Sequence, residues 1–186
     1  MINAFKENAA QVGATVHVVD PGEVGREIRE ILEDKEAEGV VVSPSEEFDD
    51  VLGHDYPVSI VDVSRGGPDI GERSKAIKAA DVGITRANLG IADLGVIGLE
   101  LTQANESIAS LAPDTHIALM REDDIYGGSE NVFEFLGDAF REGRDDWVFI
   151  AGPSSTADMG ALVQGVHGPG DVHVIVERTE EGGNDE

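Results

Sequence analysis

Two spacings of apolar residues alternate along the chain. Runs in which nearly every position is apolar or β-branched recur as TVHVV (15–19), GVVVSP (39–44), YPVSIVDVS (56–64), HIALM (116–120), WVFIA (147–151) and VHVIV (172–176). Such continuous runs suit strands buried on both faces of a parallel sheet. Helical spacing fills the intervals. Residues 1–12 read as a short helix. Asp20-Pro21-Gly22-Glu23 offers a cap acceptor, Pro at the first helical position and Glu at the third. That combination predicts a helix start, with Val24, Ile28, Ile31 and Leu32 on one face and Gly39 ending it. Residues 45–52 read as a short acidic helix, 65–71 as a loop and 72–80 as a weaker helix. Apolar strands bound the segment 81–101, with a Gly- and Asn-marked interruption between them. Ser129 is predicted to cap a helix whose Val132, Phe135, Leu136, Ala139 and Phe140 form the buried stripe, closed by Gly143.

Strands alternating with helices over short connections predict an α/β fold, a mostly parallel sheet with helices on both faces. In such sheets ligands sit at the carboxyl ends of the strands. That expectation places the loops 85–95, 120–129 and 151–156 around any pocket. A single domain over 1–178 is expected, followed by an acidic tail over 179–186 whose composition predicts disorder.

Charge narrows the partners. The chain holds 38 Asp and Glu against 13 Lys and Arg, a formal charge of −25, and only four of the cations are Lys. The acids are dispersed rather than clustered, like the halophilic surfaces of proteins from a salt-rich cytoplasm, where ions screen self-repulsion. A surface of this sign repels phosphate backbones and anionic head groups, so nucleic acid and membrane are not expected partners. An anionic ligand needs a locally positive pocket. The chain has no Cys, which removes thiolate catalysis, disulfides and Cys-ligated zinc or iron–sulfur centres. No apolar stretch approaches the ~20 residues that span a bilayer, so a soluble cytoplasmic protein is the expectation.

Two stretches carry candidate chemistry. In GPSSTADMGALVQGVHGP (152–169), Ser155 to Asp158 fits a capping box, and Met159, Leu162, Val163 and Val166 follow at helical spacing. The same turn, through Gly152, Ser154, Ser155, Thr156 and Asp158, could instead seat an anion on hydroxyls and backbone N–H groups. In GITRANLGIADLGVIG (83–98), Thr85, Arg86, Asn88 and Asp93 stand among Gly and Ala, where a carboxylate can approach the backbone and pair with the Arg86 fork. An ordinary surface ion pair is the competing reading of Arg86. Of the five His residues, three lie in strand runs and read as structural. His167, in a Gly-flanked turn, is the candidate acid, base or donor, against a plainer role at the end of the predicted helix. No metal-ligand spacing, serine elbow, Walker loop or dinucleotide fingerprint occurs.

Taken together, DVGITRANLGIADLGVI (81–97), SLAPDTHIALM (110–120) and GPSSTADMGALVQGVHGPGDVHVIV (152–176) resemble the LUD domain family, in its lactate utilisation protein C branch. The resemblance implies a fold like that of CoA transferases and ribose-5-phosphate isomerase. It also implies a non-redox, accessory part in oxidising L-lactate or a related 2-hydroxy acid, beside partner subunits that carry iron–sulfur clusters. No cofactor of this chain's own is implied. By position, the family's Thr and acid fall on Thr85 and Asp93. The elements of its GPSRTADIE motif fall on Ser154, Thr156 and Asp158, and its HIA and HGP elements on His116 and His167. Ser155 stands where the family usually has Arg, Met159-Gly160 replaces Ile-Glu, and Leu94 stands for Thr. The Ser155 difference removes a bidentate donor and leaves Arg86 as the candidate for the missing charge. A stand-alone isomerase- or transferase-like enzyme and a pure protein-interaction module stay open as alternatives, as does a homo-oligomer.

Overall fold

The computed structural model describes residues 1–43, 48, 59–62, 70–102, 107–158, 161–165 and 167–179. The predicted acidic helix over 45–52 lies outside them except for Phe48, as do most of the 65–71 loop and the tail beyond residue 179. Six strands form an all-parallel sheet in the order β1-β12-β7-β4-β2-β3. They are β1 (Thr15–Val19), β2 (Gly39–Ser43), β3 (Ser59–Asp62), β4 (Val82–Arg86), β7 (Thr115–Arg121) and β12 (Asp171–Glu177). A second sheet, β8-β5-β6-β9, is built from β5 (Leu89–Ile91), β6 (Val96–Glu100), β8 (Ile125–Tyr126) and β9 (Trp147–Ile150). A third element is the antiparallel hairpin of β10 (Ser155–Asp158) and β11 (Ala161–Gln164). The helices are α1 (Ile2–Gln11), α2 (Val24–Asp34), α3 (Ile70–Ala79), α4 (Ser107–Leu111) and α5 (Ser129–Arg141).

Side-chain alternation along the strands divides the core. Helix α2 packs Ile28, Ile31 and Leu32 against one face of the parallel sheet, with Val40, Ile84, Ile117 and Ile175. The other face is shared. Helix α1, through Phe5 and Ala9, covers Val16, Ala118 and Val174 there, together with Ile97 and Leu99 of the second sheet. Ala109 of α4 joins Val41 and Ala80 further along. Helix α5 rests Val132 and Leu136 on Leu89 and Ile91, with Phe135, Trp147 and Tyr126 around them. Among the described residues no helix is long and apolar enough to cross a membrane.

Four local expectations are corrected by the structure. Asp20–Glu23 does not begin α2. Gly22 has φ +81°, and Glu23 N–H donates to the Asp20 carbonyl at 3.0 Å. Pro followed by a left-handed Gly makes a turn of its own, and the helix starts only at Val24. The same helix stops before Gly39. Glu36 takes φ +50° and Ala37 N–H bonds back to Leu32 at 3.0 Å, so Gly39 is free to begin β2. On α5 the cap is Gly128 rather than Ser129, and Phe140 is 52% exposed instead of joining the buried stripe. Gly143 does close α5, with φ +81° and Arg144 N–H bonded to Ala139 at 2.9 Å.

The largest correction concerns GPSSTADMGALVQGVHGP, which is a β-hairpin and not a capped helix. Ser155 pairs with Gln164, and Asp158 with Ala161. Ser155 Oγ donates to the Pro153 carbonyl at 3.2 Å, where a capping box would have it accept from Asp158. Two strands two residues apart, with Gly in the link, is hairpin spacing, and here it prevails over the helical reading of the same apolar residues.

Candidate functional site

The parallel sheet ends at its carboxyl edge in a cleft of about 500 Å³, lined by Pro21, Arg86, Arg121, Glu177, Arg178 and Thr179. Each cation arrives by the same route. Arg86 is the last residue of β4, Arg121 the last of β7, and Arg178 the first after β12. Three of the nine Arg residues in a strongly acidic chain therefore meet at the edge where α/β sheets bind ligands. Arg178 pairs with Asp20 at 2.8 Å and Arg121 with Asp123 at 3.8 Å, while Thr179 Oγ1 donates to Asp123 at 2.9 Å. Beside Arg121 in the β7–β12 register, Glu177 accepts from the Gly22 N–H at 3.1 Å, which ties the Pro-Gly turn to the cleft wall. Burial pushes the Asp124 carboxyl up, against the pull of Arg86 and Arg121. Planar guanidinium forks in this setting suit a carboxylate or phosphate oxygen pair.

Thr85 and Arg86 do not act together. Successive strand residues point to opposite faces, so Arg86 lines the cleft while Thr85 turns into the other face and is buried. There Thr85 Oγ1 meets His116 Nε2 at 2.8 Å. Complete burial lowers the His116 pKa to about 3, so the ring is neutral at ordinary pH. Among the described residues its Nδ1 and the neighbouring Ser43 Oγ have no hydrogen-bond partner. Ser43 and Thr85 sit side by side in the β2–β4 register, which makes a small polar seam within an apolar interior.

The remaining expected site residues divide between the two edges of the sheet. Asn88 holds strands together. Its side-chain oxygen accepts from Glu100 N–H at 3.0 Å, and its own N–H donates to Gly98 at 2.9 Å. Asp93 is exposed on the turn between β5 and β6. Gly152, Ser154 and His167 lie at the amino edge. Ser154 N–H bonds to Pro169, two residues before β12 begins, whereas Thr85 is level with Val174. Five residues of strand separate those levels, about 16 Å. Gly152 packs on the end of α1 with φ +72°, and His167 is exposed at the base of the hairpin that carries Ser155, Thr156 and Asp158. Within one chain the Ser154 group and the Arg86 group are therefore not brought together.

The sequence reading missed Arg121, Arg178 and Thr179, although a signal was present: an Arg at or just past the end of three strand runs. It also missed a clasp on the α2 face. Glu27 Oε1 meets His17 Nδ1 at 2.5 Å, His17 Nε2 meets His173 Nδ1 at 3.0 Å, and Lys35 meets Asp171 at 2.5 Å. His173 Nε2 lies 3.3 Å from Asp171, within ion-pair reach but without hydrogen-bond alignment. Burial lowers the His173 pKa, against the opposing pull of Asp171. Both ends of α2 are thus fastened to β1 and β12. Among the described residues no three His, Asp or Glu side chains gather as metal ligands.

These features define an α/β protein whose parallel sheet opens at its carboxyl edge into an arginine-lined cleft. Residues 2–176 match the LUD domain model, and the chain belongs to the LUD domain family. It is similar to the lactate utilization protein C of Deinococcus radiodurans, 33% identical over 118 residues, covering 62% of this chain and 54% of that protein. The proteins of the same name from Oceanobacillus iheyensis and Shouchella clausii are 26% and 25% identical, over 80% and 91% of this chain and 67% and 75% of theirs. The chain thus spans between about half and three quarters of the length of these relatives. A DUF162 family protein of Deinococcus radiodurans has the same fold, with a TM-score of 0.64 at 23% identity over 95% of each chain.

Proposed function

We propose that the chain serves lactate utilisation as a non-redox component that binds a small carboxylate in the cleft formed by Arg86, Arg121 and Arg178. The family and the names of its relatives support the process. The single observation behind the ligand is the meeting of three Arg at one strand edge. These 186 residues offer no thiolate for an iron–sulfur cluster, so in this reading any cluster that takes electrons from a 2-hydroxy acid sits on a partner protein.

Thermal unfolding in the presence of L-lactate, pyruvate and phosphate tests the proposal. A ligand at about a hundred times its Kd adds roughly 2.7 kcal/mol, worth about 5–10 °C in a domain of this size. Arg121→Gln is expected to remove the shift, and Thr156→Ala, at the other edge, to leave it. The absence of a shift with either organic acid, or an equal shift in the Arg121 variant, would refute the cleft as the ligand site.

A further inference from the structure

Helix α5 presents an apolar strip that nothing among the described residues covers. Phe133 is 73% and Phe140 52% exposed, and a Cβ built on Gly137, between them, would meet nothing within 4 Å. At 100° per residue the three positions share one side of the helix, adjoining the buried line of Val132, Leu136 and Ala139. A glycine within a helix is less favourable than alanine, because it loses more backbone freedom on folding. Among the described residues no contact requires one at 137.

We infer that this strip is the seat of a second copy of the same chain, with α5 packed antiparallel on its counterpart and Gly137 at the twofold axis. The pattern is self-complementary about that residue, as an isologous interface requires. Four residues before Gly137 stands Phe133, and three after it Phe140. Antiparallel pairing therefore interleaves the four rings of the two helices. Flanking charges match as well. The exposed Glu130 and Glu134 lie toward the amino end of the strip and Arg141 toward its carboxyl end. Pairing sets Arg141 of one copy between Glu130 and Glu134 of the other, in addition to its bond with Asp138 on its own helix. Bare glycine at the crossing lets the two backbones approach. Two chains of charge −25 repel at long range, so association needs local complementarity of this kind and strengthens when salt screens the rest.

The absence of Cys makes a direct test available. Gly137→Cys places a lone thiol at the axis, where helices in contact bring Cα atoms into disulfide range. Glu30→Cys, on the exposed side of α2, is the control. Under mild oxidation the Gly137 variant is expected to form crosslinked dimers on the order of a hundredfold faster than the control, the gain from an intramolecular effective concentration. Sedimentation should show a dimer for the unmodified protein and a monomer for Phe133→Ser/Phe140→Ser with an unchanged circular dichroism spectrum. Equal crosslinking rates for the two thiols, a dimer that survives the double Phe substitution, or a monomer at all KCl concentrations would each overturn the inference.

Discussion

Gly83→Ala is expected to destabilise the protein by more than 3 kcal/mol, enough to leave much of it unfolded. Gly83 lies in the middle of β4, with β2 and β7 bonded on either side. A Cβ there would fall 1.7 Å from the Ala109 carbonyl oxygen, 2.8 Å from its carbon and 3.1 Å from Pro113. The obstacle is backbone, so no side chain can rotate away. Either α4 retreats by about 1.5 Å or β4 leaves its ladder. Overpacking commonly costs about 1–3 kcal/mol when side chains can adjust, and more when they cannot. A domain has only about 5–15 kcal/mol in hand. Gly22→Ala supplies the contrast, since its φ is +81° but nothing lies within 4 Å, and a loss of roughly 1 kcal/mol from backbone strain is expected. Urea midpoints followed by circular dichroism separate the two cases. A Gly83 variant with an unshifted midpoint would show that α4 does not rest on β4 as described.

Gly152 obeys the same logic, and this bears on the reading of its motif. Its Cβ would sit 2.0 Å from the Val12 carbonyl oxygen. The glycine that opens GPSSTAD is therefore required for the chain to pass the end of α1, whether or not a ligand binds nearby. Parallel strands were legible because burial on both faces leaves a continuous apolar run, as in HIALM and VHVIV. The hairpin was not legible, because STAD fits a cap and a strand equally well. Only pairing partners decide between them. The separation of the two candidate stretches has a topological cause. WVFIA looks like one more parallel strand, which would bring the loop after it to the carboxyl edge. Instead β9 pairs antiparallel with β6 in the second sheet, and its far end leads to the amino edge. The order of motifs along the chain carries no record of which sheet a strand joins. Arg121 and Arg178 join Arg86 only through the sheet order, since β4, β7 and β12 are distant in sequence and adjacent in the sheet.

Acid is expected to weaken the protein through His116, and His116→Gln to remove that part of the sensitivity. The ring titrates near 6.5 when the chain is unfolded and at about 3 when it is folded, because burial disfavours the imidazolium. Between those values the unfolded state holds the extra proton, so stability falls as pH drops from about 6.5 toward 3 and is unaffected by this group above 6.5. Each unit corresponds to about 1.4 kcal/mol, giving on the order of 5 kcal/mol across the window. Acid also relieves the mutual repulsion of the numerous carboxylates, which works in the opposite sense. A difference curve removes them. The stability of the natural chain minus that of His116→Gln, taken from denaturant unfolding at several pH values, cancels terms common to both. It should slope by about 1.4 kcal/mol per unit below 6.5 and be flat above it. A constant offset between the two proteins reports only how well glutamine replaces the bond to Thr85 Oγ1. Parallel curves throughout would mean that water reaches the ring. In that case Thr85 and His116 would be open to a ligand at the carboxyl edge instead of forming a sealed seam behind it.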